Sequence, residues 1–180
     1  QATAVYDVDS IGLVKIIRKL NQGVDWVGNS IGSPTNFCVG VAVNPNADDL
    51  EKEIDRFKKK VQAGADFAFT QPLYDLGVLE RFLERVSNVR IPIFLGILPL
   101  RSFKHAEFMH YEVPGITVPE EIRNRMRDAK DRSSEVGTAI ARELLGKAKH
   151  MVDGVYLMPS FGRFDVISEV LQGFGLKAKP

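Results

Sequence analysis

The stretch from Lys58 to Pro72 constrains the fold more than any other, because in fifteen residues it passes from a helix end through a glycine stop into an apolar run with a polar tip. Upstream, Asp48-Asp49-Leu50-Glu51 supplies an N-cap at Asp48 and a partner three residues on. Leu50, Ile54, Phe57 and Val61 then recur at helical spacing as one apolar stripe. Gly64 can take the left-handed conformation that ends a helix, and Ala65 to Thr70 is short, apolar and aromatic, as a buried strand is. This is one helix-to-strand step of a parallel α/β fold. In such folds ligands gather at the carboxyl ends of strands, which draws attention to Gln71. A glutamine there can also do no more than solvate a strand end.

The same grammar repeats along the chain. Asp9 caps a helix with Ile11, Leu13, Val14, Ile17 and Leu20 on its apolar positions, stopped near Gly23, and Asn29 to Asn36 reads as a loop. Phe37 to Val43 reads as a strand covered on both faces, ended by Asn44-Pro45-Asn46. Asp75 caps a helix carrying Leu79, Phe82, Leu83 and Val86, followed by a strand from Ile93 to Ile97. Helices are expected over Phe103 to Phe108 and Pro119 to Ala129, and then around a stripe of Val136, Ala139, Ile140 and Leu144. Val113-Pro114-Gly115 punctuates that region. Gly154 to Met158 is the last strand, and Asp165, Ile167, Val170 and Leu171 fit a terminal helix. Strands alternating with helices imply parallel pairing through right-handed crossovers. No linker divides the 180 residues, so a single domain over 1–180 is expected.

An open doubly wound sheet and a TIM-type β/α barrel both satisfy this order. No strand is followed by a glycine-rich dinucleotide turn, which favours the barrel. A complete barrel needs eight strands and about 250 residues. Only four strands are legible here, so the chain is expected to be the second half of a barrel. It begins at Gln1 without an initiator methionine.

Twenty-four Lys and Arg against 23 Asp and Glu leave no broad field for nucleic acid, and no apolar run approaches the roughly 20 residues that span a bilayer. The one cysteine, Cys38, cannot form an internal disulfide; beside Phe37 and Val39 it suits a buried thiol, and a cytoplasmic location is expected. His110, His150 and Cys38 lack metal-ligand spacing, so no metal site is expected. Ser102, Ser133, Ser134 and Ser160 lack a nucleophile elbow.

Val5-Tyr6-Asp7-Val8-Asp9-Ser10, Val41-Ala42-Val43-Asn44-Pro45, Ala63-Gly64-Ala65-Asp66-Phe67 with Thr70-Gln71, Gly96-Ile97-Leu98-Pro99, Val113-Pro114-Gly115-Ile116, and Leu157-Met158-Pro159 with Phe161-Gly162-Arg163 occur in that order. Together they resemble the methylenetetrahydrofolate reductase family over essentially the whole chain. The first two are most similar to bacterial members fused to a homocysteine methyltransferase domain. The resemblance implies a β/α barrel that binds FAD over its carboxyl-terminal face. FAD is reduced by NADH or NADPH, and methylenetetrahydrofolate is then converted to 5-methyltetrahydrofolate.

By the same resemblance, Tyr6, Asp7, Ala42 and Asn44 match positions beside FAD, and Glu53, Arg56, Lys59 and Lys60 match contacts to its adenosine and diphosphate part. Glu53, Arg56 and Lys60 are also spaced three and four apart, a polar stripe flanking the apolar one. An ordinary solvated helix face carrying Lys58, Lys59 and Lys60 would look the same. Gln71 matches a glutamine that hydrogen-bonds the pterin. Strict alternation puts it on the side of Phe67 and Phe69, expected to face the outer helices, with Thr70 toward the barrel axis; the turn into Pro72 must then re-aim it. His105 stands where some members have a folate-contacting glutamine, or is a surface histidine. Phe108 and Met109 match an apolar group against nicotinamide or pterin, though helix packing suits both better. Arg163 matches an arginine that contacts folate and can pair with a carboxylate of its tail.

The family's catalytic glutamate and its flavin-tuning aspartate have no counterpart, since the chain is expected to start after both. Two function classes follow: a reductase whose activity belongs to a longer chain, with a homo-oligomer expected, or a noncatalytic half-barrel that self-associates to cover edge strands at Phe37 to Val43 and Gly154 to Met158. Another phosphate-binding barrel enzyme is a weaker third, for want of a glycine-rich phosphate loop.

Overall fold

The computed structural model describes residues 7–172 and residue 174. Four strands, β1 (Gly40–Val43), β2 (Phe67–Pro72), β3 (Ile93–Ile97) and β4 (Gly154–Leu157), pair in parallel in the order β1-β2-β3-β4. The α/β class is thereby established. Helices α1 (Ser10–Asn21), α2 (Leu50–Gln62), α3 (Leu76–Arg85), α4 (Phe103–Tyr111), α5 (Glu120–Asp128), α6 (Ser133–Ala148) and α7 (Phe164–Leu171) lie between and around them.

The caps are those that polar side chains dictate. Asp9 accepts from the Gly12 amide, Asp75 from Gly77 and Ser102 from His105. For α2 the cap is Asp49, not Asp48: its carboxylate accepts from Lys52 at 3.0 Å. The stripe on α2 is as expected, with Ile54 and Phe57 buried and Leu50 and Val61 packed beside them. Phe57 meets Phe82 of α3 at 5.9 Å between ring centres. Gly64 then stops α2 at φ +114°.

Further expectations need correction. β2 begins two residues later than Ala65, so Gln71 lies inside the strand. β1 begins at Gly40, because the Asn21 side chain accepts from Thr35 and from the Phe37 amide and donates to the Phe37 carbonyl. Those bonds latch the preceding segment to the end of α1, leaving Phe37 54% exposed and Cys38 exposed rather than buried. On α6 the buried positions include Gly137, Ile140, Ala141, Leu144 and Leu145, while Ala139 is exposed. Gly137 sets that rotation, since a Cβ there would lie 1.8 Å from the Leu100 carbonyl oxygen.

The faces of the sheet are assigned by burial. Val41, Val43, Ala68, Thr70, Ile93, Leu95 and Ile97 are buried. The alternating positions Ala42, Phe67, Phe69, Gln71, Phe94 and Tyr156 are exposed or half-buried on the other, open face. β1 is therefore not covered on both faces. The open face is built by one device used three times: Phe67 pairs in register with Gly40, Phe94 with Gly154 and Tyr156 with Gly96. A Cβ on any of these glycines would meet the partner's ring at 2.5 to 2.9 Å. Each ring lies across the neighbouring strand's bare backbone. Phe69 joins them, 4.8 Å from Tyr156 and 5.1 Å from Phe67 between ring centres.

Candidate functional site

A cleft of about 430 Å³ runs along β1 between α1 and α2, and it gathers Ala42, Asn44, Glu53, Arg56, Lys60 and Gln71 with Ser10. Each is placed by its element. The spacing on α2 carries Glu53, Arg56 and Lys60 along one flank of its buried stripe. Alternation on β1 turns Ala42 outward while Val41 and Val43 are buried.

Lys60 is an expected member of the cleft, but its burial was not foreseen: it is only 5% exposed. Its ammonium donates to the Ala42 carbonyl at 2.7 Å, which satisfies a polar group of an edge strand. Burial pushes its pKa below the usual lysine value; Glu53 opposes that shift and Arg56 adds to it. The Glu53 carboxylate accepts from the Asn44 amide at 3.0 Å and so fixes the turn that ends β1. Arg56 is exposed and donates to the Ser10 hydroxyl at 3.2 Å. Ser10, at the start of α1, was not singled out from sequence, and no local pattern marks it. From the opposite side Gly115, at φ +78°, comes close enough that a Cβ would sit 2.3 Å from the side-chain Nδ2 of Asn44. Val113-Pro114-Gly115 therefore closes onto the tip of β1.

Gln71 is exposed on the open face, at the carboxyl end of β2. It shares that face with Phe67 and Phe69, as alternation requires, but the face points away from the helices. Thr70, 1% exposed, lies on the helix side rather than toward the axis. No re-aiming at Pro72 is needed. The error has a physical source: alternation fixes which residues share a face, and a phenylalanine pair suits an aromatic open face as well as a helix-covered one.

Other expected residues lie apart. Lys59 is paired with Asp55 at 2.6 Å and lines a separate hollow with Trp26 and Lys15. His105 lines a hollow with Arg101, Ser102, Lys104 and Phe108, and its ring Nδ1 accepts from the Arg101 amide at 3.2 Å. Burial, then the charge of Arg101, hold its pKa below the usual histidine value. Phe108 is 54% exposed there, whereas Met109 is buried in the core. Arg163 is exposed and engages Asp165 through Nε at 2.9 and 3.0 Å. Asp7 is exposed, and Tyr6 lies outside the described residues.

Among the described residues no group of three or more His, Cys, Asp or Glu could hold a metal ion, and no helix is long and apolar enough to cross a membrane. The cleft thus offers cations, a glutamine amide and strand-end backbone beside an aromatic face. That donor set suits a ligand with both an anionic group and a flat ring.

The family model for methylenetetrahydrofolate reductase matches residues 6–170. The chain belongs to that family. Methylenetetrahydrofolate reductase 1 of Schizosaccharomyces pombe is 32% identical over 101 residues, 53% of this chain and 17% of its own length. The 5,10-methylenetetrahydrofolate reductase of Escherichia coli is 30% identical over 120 residues, 61% of this chain and 40% of its length. The Salmonella typhimurium reductase is 26% identical over 151 residues, 78% of this chain and 45% of its length. The chain therefore spans less than half the length of each of these methylenetetrahydrofolate reductases.

Proposed function

We propose that this chain carries the cofactor and folate face of a methylenetetrahydrofolate reductase, which reduces 5,10-methylenetetrahydrofolate to 5-methyltetrahydrofolate with FAD and with NADH or NADPH as reductant. The observation that carries the reading is the convergence of Ala42, Asn44, Glu53, Arg56, Lys60 and Gln71 on one cleft that runs along β1 to its carboxyl end. The four strands are taken as one arc of a β/α barrel whose axis faces the aromatic layer. A cytoplasmic homo-oligomer accompanies this reading.

The residues fit FAD. An ammonium has three N–H donors, and one of them holds the Ala42 carbonyl. A phosphate beside Lys60 and Arg56 would be bound by charge and would restore the lysine pKa toward its usual value. FAD supplies the hydride relay between the nicotinamide and the folate. Glu53 does not need to touch it: its carboxylate holds the Asn44 backbone amide, which fixes the turn against which a flat ring would be held. The Gln71 amide can donate and accept at once, as the pterin edge requires. Arg163 meets the folate tail only by exchanging its Asp165 partner for a tail carboxylate, and His105 is assigned a folate contact from its own hollow beside Phe108. No residue among those described is assigned the proton-donating step.

The experiment is an anaerobic assay of the full-length protein with FAD. Bleaching of the flavin by NADH or NADPH, then recovery of its colour on adding methylenetetrahydrofolate, supports the proposal. Bleaching without recovery contradicts the folate assignment, and absence of bleaching contradicts the cofactor assignment.

A second reading is favoured by one observation: the open aromatic face lies between two strands, β1 and β4, each with one unpaired edge in the described sheet. On that reading the chain is a noncatalytic half-barrel that self-associates. A stable dimer of the 180-residue chain in sedimentation, without flavin affinity, would select it.

A further inference from the structure

Gln71 sits on an irregularity of β2. Phe69 pairs with Phe94 and Pro72 with Gly96, so β2 takes three steps where β3 takes two. A bulge of this kind leaves a residue unpaired and disrupts the ladder locally, while Gln71 keeps the alternation of the strand. Here both peptide planes that flank Gln71 are held by side chains. The Thr70 hydroxyl donates to the Gln71 carbonyl at 2.7 Å, while its oxygen accepts from the Gly96 amide at 3.0 Å. On the other side, the Tyr156 hydroxyl reaches across from β4 and donates to the Thr70 carbonyl at 2.6 Å. That carbonyl belongs to the same peptide plane as the Gln71 N–H.

The reach of Tyr156 depends on Gly96 beneath it, where a Cβ would fall 2.7 Å from the phenol oxygen. Phe69 steadies the ring edge-on. Burial raises the phenol pKa, so the hydroxyl remains a donor at neutral and mildly alkaline pH. Without that bond the Thr70 carbonyl, at the bulge, loses its side-chain partner.

We propose that Tyr156 is a positioning residue for Gln71: its bond to the Thr70 carbonyl fixes the bulge in the geometry that presents the Gln71 amide on the open face. The inference rests on Gln71 being a folate contact. It differs from a packing role for the ring because only the hydroxyl is required, and because its effect passes through Gln71.

The test compares Tyr156→Phe, Gln71→Ala and the double variant in the full-length protein, reading KM for methylenetetrahydrofolate, the rate of flavin reduction by NADH or NADPH, and the crystal structure of Tyr156→Phe. Loss of one neutral hydrogen bond predicts a rise in KM of about fivefold for Tyr156→Phe. Flavin reduction is expected to stay unchanged, and the Gln71 amide to move or split over two conformers. In the Gln71→Ala background the tyrosine change should add nothing. Gly96→Ala, which displaces the hydroxyl while keeping it, should raise KM likewise. Additive effects in the double variant, or an unmoved Gln71 with unchanged KM, overturn the proposal and leave Tyr156 a packing residue. If Gln71→Ala itself leaves KM unchanged, the folate assignment of Gln71 fails and the proposal with it.

Discussion

Gln71 and Lys60 show what a side chain owes to its strand or helix. Gln71 is exposed because parity along β2 places it with Phe67 and Phe69 on the open face, and its parity was legible from the sequence. Which face was open was not, since both faces of this sheet are apolar. Lys60 was legible as part of a stripe; that it would be buried against the Ala42 carbonyl was not, because the free edge of β1 arises only from strand order. Tyr156 escaped notice for the same reason, its partner being 86 residues away in the chain. For Gln71→Ala in the full-length protein, KM for methylenetetrahydrofolate is expected to rise by about five- to tenfold, the loss of one or two hydrogen bonds. Flavin reduction by the nicotinamide should hold its rate. Stopped-flow measurement of the two half-reactions checks this, and an equal fall in both would assign Gln71 a structural role.

At the scale of elements, capped helices and apolar strands were readable because their signals are local. So were both ends of β3, Ile93–Ile97, but the starts of β1 and β2 were not, since long-range latches set them. Asp66 is such a latch: its carboxylate accepts from the Val39 amide at 2.7 Å and pairs with Arg18 of α1, which also holds the Gly64 carbonyl. The Val39 bond, then Arg18, hold the Asp66 pKa below the usual carboxylate value. A carboxylate depressed in the folded state stabilises above its unfolded pKa, here 3.8, and loses that contribution as pH falls through the folded value. Asp66→Asn should therefore lower stability by about 1 kcal/mol at pH 7, allowing for exposure, with the deficit shrinking as pH falls below 3.8 and through the depressed folded value. Urea denaturation across pH 2 to 8 reads it, and a constant deficit would contradict the charge argument. Gly137→Ala tests α6 separately. With Leu100 backbone in the way, a loss of about 1–3 kcal/mol and a lower Tm are expected. An unchanged Tm would mean that α6 slides freely.

For the whole molecule, three rings laid over three glycines make an open aromatic face, and the carboxyl rim beside it gathers residues from α1, α2, β1 and β2 into one cleft. Parallel order was implied by strand and helix alternation, and the likeness to the methylenetetrahydrofolate reductase family pointed to the rim. The cross-strand pairing of rings with glycines was invisible, because it depends on register between segments far apart in sequence. The proposed FAD site is this cleft, with the cations of α2 as its anchors. Its most direct test is a titration of the full-length protein with FAD, followed by flavin fluorescence, for the wild type and for Arg56→Gln with Lys60→Gln. Saturable binding is expected in the wild type, weakened at least about tenfold in the double variant, with a lowered Tm that excess FAD restores. Equal affinity in the two proteins would contradict it and return Arg56 and Lys60 to the support of β1 alone.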